Sequence, residues 1–403
     1  MQDKFGAVVL GANLIALGVA RSLGPHGIPV WIYDPDRSIA HFSRYTEKAV
    51  ISRRDKHELL LEEGRKHGLQ GWVVFPTEDK YVELLSVHHE SLSSIYKLTT
   101  PPFEVTKFAL DKRLTYGKAT ELGIATPWTL VTSEPAKLRV DDLPYPIILK
   151  PAINHHFFPY TNIKALSVER PSDFQSRFAE MHRHIPSDEI LIQERIPGGG
   201  ETQFSCAALC NNGKVSAALT AQRTRQYPLD FGNSSTFVQT TDHFVLEDEA
   251  RKWLEAVGFD GIVEIEFKYD RRDGRYKILD VNARPWGWHT LGKAAGIDFS
   301  YLLWRQKTGM PVGSIPSPRP ATWIREINDL FAIAKSPRPI SEIKRLLGRL
   351  RRGNWTCATL DFRDPVPLFA ELGLRGIKFF SALKKKVWRT IPAPTWYQPR
   401  ENR

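Results

Sequence analysis

The chain reads as a parallel α/β unit followed by an α+β body, closed by a basic helical C-terminal extension. Three observations predict this. Short apolar runs alternate with helical patterns over the first hundred residues, strand-like segments with turns dominate from Tyr145 to about residue 283, and prolines and basic residues accumulate from Pro311 onward. At 403 residues, with 42% hydrophobic, 25% charged and 11% aromatic residues, the chain is long enough for two or three domains with true cores. Disordered, coiled-coil and collagen-like architectures are excluded.

The first unit opens with a strand at Ala7–Leu10, a helix over Leu14–Leu23 and a second strand over Pro29–Tyr33 ending at Asp34. That βαβ rhythm implies a parallel sheet covered by helices. Further strands fit Lys48–Ile51, Gly71–Phe75 and Ser94–Leu98, and Thr100-Pro101-Pro102 mark a boundary near residue 105. Gly11 and Gly18 flank the first turn, but Ala12, Asn13 and Leu14 stand where a dinucleotide fingerprint has its inner glycines. Asp34 either accepts from a ribose or starts the Asp34-Pro35-Asp36 turn. Phe5–Ala20 is apolar enough to suggest a secretory segment, yet Asp3, Lys4 and Asn13 argue against that, and no run reaches a membrane span.

The second part is expected to carry a helix over Lys107–Leu122 and strands at Tyr145–Lys150 and Ile190–Arg195. Its most informative stretch is Gly261–Gly287. Alternation places Glu264 and Glu266 on one face of a strand and Val263, Ile265 and Phe267 on the other. Asp270–Gly274 reverses the chain and Tyr276–Asn282 returns. A hairpin centred on Asp273 sets Asp280 opposite Glu266 and Asn282 opposite Glu264. Like charges so placed repel, and oxygen-only donors select Mg²⁺ or Mn²⁺, an ion that usually accompanies nucleotide phosphates. Lys150 at the end of its strand and Lys112 on the preceding helix are the cations that fit such phosphates. Gln193-Glu194-Arg195-Ile196 leads into Pro197–Glu201, a crossover whose backbone groups can read an adenine edge while Glu201 accepts from ribose.

The order of these pieces resembles the ATP-grasp superfamily, in particular its carboxylate-amine ligases of the D-aspartate ligase type. The matching pieces are Asp111-Lys112 with Gly123–Pro127, Ile148–Pro151, Gln193-Glu194-Arg195, Arg225–Pro228 with Phe231-Gly232, and Glu266 with Asp280–Arg284. The resemblance implies a Rossmann-like pre-ATP-grasp domain over 1–105, a small ATP-grasp lobe over 106–192, a large lobe with the metal site over 193–310, and the basic extension over 311–403. It further implies that Glu266, Asp280 and Asn282 hold magnesium on the phosphates of ATP. Lys112, Lys150, Gln193, Glu194, Arg195, Ile196 and Glu201 would bind the nucleotide, and Arg284 and Arg225 would hold the substrate carboxylate or an acylphosphate. The implied reaction joins a small-molecule carboxylate to an amine with release of ADP and phosphate. One departure stands out: Pro151–Tyr160 has no glycine where many relatives have a glycine-rich phosphate loop, so His155, His156 or Lys164 would have to donate instead. His289 is left without a role. An NAD(P)-dependent oxidoreductase and a nucleotide-binding protein without turnover are the competing readings.

The net charge of +11 lies in one place. Residues 311–403 carry 18 Lys and Arg against 7 Asp and Glu, while the first 310 residues balance at 38 against 38. Ile340–Arg352 and the apolar-basic pattern of Pro365–Pro392 suggest an amphipathic surface for an anionic membrane or an acidic carrier protein rather than for nucleic acid, or else a helix packed on the body. Three cysteines, Cys206, Cys210 and Cys357, form no disulfide or zinc pattern and point to a cytoplasmic protein, peripheral to the inner membrane face if the basic segment docks there. Dimers are common in the superfamily, so a homodimer is included among the expectations.

Overall fold

The computed structural model describes residues 5–227, 234–351 and 353–377. Part of the Arg225–Gly232 motif and the end of the Pro365–Pro392 pattern therefore lie outside the described residues.

Three sheets organise the chain. Strands β1 (Ala7–Leu10), β2 (Val30–Asp34), β3 (Lys48–Ile51), β4 (Val73–Pro76) and β5 (Lys97–Leu98) form a wholly parallel sheet in the order β3-β2-β1-β4-β5. Strands β6 (Thr129–Val131), β7 (Ile147–Pro151), β8 (Leu166–Val168) and β9 (Ile190–Glu194) form an antiparallel sheet in the order β6-β9-β7-β8. The largest sheet holds β10 (Gln203–Asn211), β11 (Lys214–Tyr227), β12 (Ser234–Thr241), β13 (Gly261–Asp270), β14 (Arg275–Asn282), β15 (Ala321–Ile324) and β16 (Asn354–Cys357), ordered β14-β13-β10-β11-β12-β15-β16. The last two strands were expected in a helical extension. They instead pair onto the edge of this sheet, β15 against β12 and β16 parallel to β15, because Ala321–Ile324 is an apolar run with all four residues buried.

The helices that shape the cleft are α1 (Leu14–Leu23), α2 (Asp79–Val87), α3 (Lys112–Glu121) and α4 (Asn154–Thr161), and the C-terminal part adds α5 (Glu326–Ala334) and α6 (Pro339–Leu350). Asn13 caps α1 by accepting from the Ile15 and Ala16 N–H groups. The helix expected over Lys107–Leu122 is broken. Asp111 adopts extended backbone, caps α3 through the Arg113 N–H and bridges to Ile153, so Lys112 becomes the first residue of a new helix.

One core joins the first and largest sheets. Val9, Leu17 and Phe75 pack in it with Leu209, Trp286 and Trp323. The hydrophobic effect therefore fixes the relative position of the two halves, each large indole removing roughly 150–250 Å² from water. Gly18 belongs to this contact. A Cβ there would lie 2.3 Å from the His289 ring, so Gly18 serves helix packing rather than a dinucleotide. Cys206 and Cys210 are buried in the second core, as small apolar side chains.

Candidate active site

Hairpin β13–β14 pairs Glu264 with Asn282 and Glu266 with Asp280. Nearer the turn the register differs, with Phe267 opposite Ile278 and Asp270 opposite Arg275. Leu279 is thus one extra residue, a bulge. Side chains alternate with period two, so without the bulge Asp280 and Asn282 would face away from the two glutamates.

Asn282 Nδ2 donates to Glu264 Oε2 at 3.2 Å and to Glu266 Oε1 at 3.1 Å. The two carboxyls then diverge. Burial, with the charge of Glu266 beside it, pushes Glu264 up to about 7, and its Oε1 accepts from Ser205 Oγ at 2.9 Å and Trp288 Nε1 at 3.0 Å. Burial also acts on Glu266, but the Arg223 and Lys164 charges outweigh it and hold this carboxyl below its ordinary value. Glu266 is the ionised member and faces the cleft, and Glu264 stands behind it.

Two buried lysines join this face in the same cavity. Lys112, 7% exposed, is aimed by the break at Asp111 and by its own N–H, which donates to the Ala152 carbonyl at 3.0 Å. Its Nζ lies 2.9 Å from Asp280 Oδ1. Lys150, 9% exposed at the end of β7, donates to Tyr116 Oη at 2.6 Å. Burial, and Lys112 next to it, lower Lys150 to about 7. Two ammonium groups held this close in a desolvated cleft favour an anionic ligand between them. Arg284 donates to Asp79 Oδ1 on α2 at 2.6 Å and to Asn282 Oδ1 at 3.1 Å.

These residues line a cavity of about 510 Å³. Its walls carry Lys80, Lys112, Lys150, Lys164, Arg223 and Arg284 against Glu78, Asp79, Glu266 and Asp280. In place of a flexible loop, α4 supplies Asn154, His155, Phe158 and Pro159 to one wall. A second cavity of about 320 Å³ continues past Glu266, lined by Glu264, Trp286, Trp288, Trp323 and Arg325, and the start of α1 borders both.

Arg225 is not in the cleft. Its guanidinium donates to both Asp329 oxygens at 2.9 and 2.6 Å and to Glu342 at 2.7 Å, and it sits 4.1 Å from the centre of the Phe237 ring. Arg223 takes the cleft position instead, paired with Glu266 and with Ser235 Oγ. Sequence parity could not separate them, since residues two apart on a strand share a face. An irregularity between Arg223 and Arg225 in the pairing with β12 breaks that rule.

The residues expected around adenine are also redistributed. The Glu194 carboxylate is committed to Lys277 at 2.9 Å, to Arg272 and to the Trp128 N–H. Arg195 pairs with Glu169, and Gln193 donates to Thr129 Oγ1. Glu201 accepts from the Gly199 N–H, stabilising its own turn. The N–H groups of Glu194 and Arg195 go to the Trp128 and Pro146 carbonyls, and Ile196 is buried just beyond. The N–H groups of Glu194 and Arg195 are thus already used, the backbone after Arg195 is what this crossover offers, and Glu201 stays exposed beside it. Asp34 accepts from the Ala12 N–H at 2.7 Å and the Asp36 N–H at 3.0 Å. It fastens the β1–α1 turn, which removes the main support for a nicotinamide enzyme.

The three-sheet architecture matches solved structures. The L-amino acid ligase of Bacillus licheniformis superposes with a TM-score of 0.60 at 17% identity, over 80% of each chain. The biotin carboxylase domain of Hydrogenobacter thermophilus 2-oxoglutarate carboxylase, solved with MgADP, ADP and bicarbonate, superposes with a TM-score of 0.62 at 15% identity, over 78% of this chain and 72% of that one. Residues 187–330 match the family described as "ATP-grasp in the biosynthetic pathway with Ter operon". The chain has the ATP-grasp fold. The D-aspartate ligase of Enterococcus faecium (strain Aus0004) is 22% identical to this ATP-grasp protein over 305 residues, 70% of this chain and 72% of the relative. The family match itself runs from β9 through β15.

Proposed function

We propose that this ATP-grasp protein is an ATP-dependent ligase of the carboxylate-amine type and that the cleft carries its reaction. The carrying observation is that Lys112 and Lys150 line one cavity with Glu266, Asp280 and Asn282, Lys112 being paired with Asp280. The donor set is oxygen only, which fits Mg²⁺. When bound there, the ion would neutralise charge on the terminal phosphates of ATP.

Lys112 and Lys150 bind the phosphates, and the backbone beyond Arg195 reads the adenine edge. A substrate carboxylate oxygen attacks the γ-phosphorus, the bond to ADP breaks, and an acylphosphate forms. An amine nitrogen then attacks the acyl carbon, phosphate leaves, and the amine proton is released with it. Arg284 is placed to hold the carboxylate and its acylphosphate, fixed at one edge by Asp79 and Asn282. Arg223 takes the supporting role first given to Arg225. The 320 Å³ cavity beyond Glu266 is the position for the carboxylate substrate. In this reading residues 1–105 are a Rossmann-like pre-ATP-grasp domain, 106–192 the small lobe, and the large lobe runs from 193 through β16.

A panel of carboxylates and amines, scored by phosphate release with ATP and Mg²⁺ and by product mass, tests the reading. An amide product with ADP is expected. Nucleotide binding without turnover for every pair would favour a binding protein instead.

The C-terminal part supports a docking role. Helix α6 exposes Ile340, Ile343 and Leu347 beside Lys344, Arg345 and Arg349, while Glu342 fastens it to Arg225. Among the described residues no helix is long and apolar enough to cross a membrane. An apolar stripe edged by cations suits the surface of an anionic bilayer. Ile343→Asp with Leu347→Asp should abolish sedimentation with phosphatidylglycerol vesicles, and unchanged sedimentation would refute this assignment.

A further inference from the structure

The histidine pair of α4 divides its work: His155 lines the nucleotide cavity and His156 does not. Both turn toward Glu83, in the middle of α2. One ligand atom from each of Glu83, His155 and His156 lies within 4.8 Å of the others. His155 Nε2 is 2.9 Å from Glu83 Oε2, and His156 Nδ1 is 2.9 Å from Glu189 Oε2. The imidazole edges meet at a centroid distance of 4.9 Å. His155 Nδ1 is buried with no hydrogen-bond partner among the described residues, although buried ring nitrogens are normally satisfied.

Glu83 brings the carboxylate of the trio, and His155 and His156 bring its nitrogens. Two imidazoles and one carboxylate form the donor set of three-ligand zinc sites that keep an open position. Glu189 on the His156 ring resembles the outer carboxylate that orients a ligating histidine. Nitrogen donors select zinc, cobalt or nickel over magnesium, the reverse of the oxygen-only face at Glu266. The same cleft edge thus offers two chemically distinct cation positions.

We propose that Glu83, His155 and His156 bind one divalent ion of the zinc class, which ties α4, a wall of the nucleotide cavity, to α2 of the first sheet. An ion there joins two helices already linked by the His155–Glu83 hydrogen bond, so it holds the cleft mouth closed. Nucleotide exchange is the step such a clasp slows. The site is independent of the ligase chemistry, and its test does not require turnover.

The test is a Co²⁺ titration of the full chain in excess Mg²⁺, followed by d–d absorption, which magnesium cannot produce. One Co²⁺ per chain, with bands lost on adding Zn²⁺, is expected. His156→Gln and Glu83→Gln, each checked by thermal melting, should weaken affinity by about tenfold or more. No bands in the wild type, or equal affinity in the wild type and both variants, would overturn the proposal. Should one variant fail to fold, the other and the wild-type stoichiometry still decide it.

Discussion

Arg284, two residues beyond Asn282 in the chain, donates to Asp79 at the start of α2 across 2.6 Å. The contact links the end of the β13–β14 hairpin to the parallel-sheet unit, so the cleft is closed on one side by residues separated by 205 positions. The surroundings of Arg284 are set by the joining of two sheets, and several measurable consequences arise from that arrangement.

Glu266→Gln and Asp280→Asn keep side-chain size and remove charge at the oxygen-donor face. Each should lower kcat by about 100-fold or more with little change in Tm. Phosphate-release kinetics alongside thermal melting check this. Activity near wild type in both variants would refute the metal assignment.

Lys150 titrates near pH 7 in the folded chain, below its value of 10.5 when unfolded. Between about pH 7 and 10 the unfolded state therefore binds more protons than the folded one, so stability contributed by this group rises with pH across that window. Melting curves without nucleotide should show this rise in the wild type and a smaller one in Lys150→Met. The KM for ATP should increase over the same pH range, as the ammonium is lost.

Arg225→Met leaves Asp329, 1% exposed, without its guanidinium partner. A cost of about 3–5 kcal/mol is expected, the usual scale for a buried charge stripped of its counterion. Chemical denaturation measures it. The KM for ATP should stay unchanged at temperatures where the variant is folded, and a large selective rise in KM would return Arg225 to the site.

Gly18→Ala puts a methyl group against the His289 ring, where the gap is 2.3 Å. Overpacking of this kind costs about 1–3 kcal/mol. A matching loss in denaturation midpoint, together with the same response to NAD as the wild type, separates packing from cofactor binding.

Much of the architecture could be read from local pattern. The run Ala7–Leu10, the helix Leu14–Leu23 capped by Asn13 and the strand Lys48–Ile51 are set by periodicity and capping, both short-range effects. The alternation of Glu264 and Glu266, and the position of Lys150 at a strand end, are likewise local. Asp111 shows the limit: its neighbours favour continuous helix, and its capping of α3 together with its bridge to Ile153 breaks it.

By itself, then, the sequence determined which residue types line a strand face and where two lysines could meet phosphate, because side-chain direction follows from backbone period. The tertiary structure alone decided which of Arg223 and Arg225 uses such a face, and it reached the expected Asp280 and Asn282 pairing through a bulge that a symmetric hairpin does not contain. One extra residue at Leu279 turns Asp280 and Asn282 toward the glutamates, and an irregularity beside Arg225 turns it away toward Asp329. A register shift reverses every following side chain, and the ion pairs that stabilise either outcome, Lys112–Asp280 and Arg225–Glu342, join residues far apart in the chain. No local pattern carries that information.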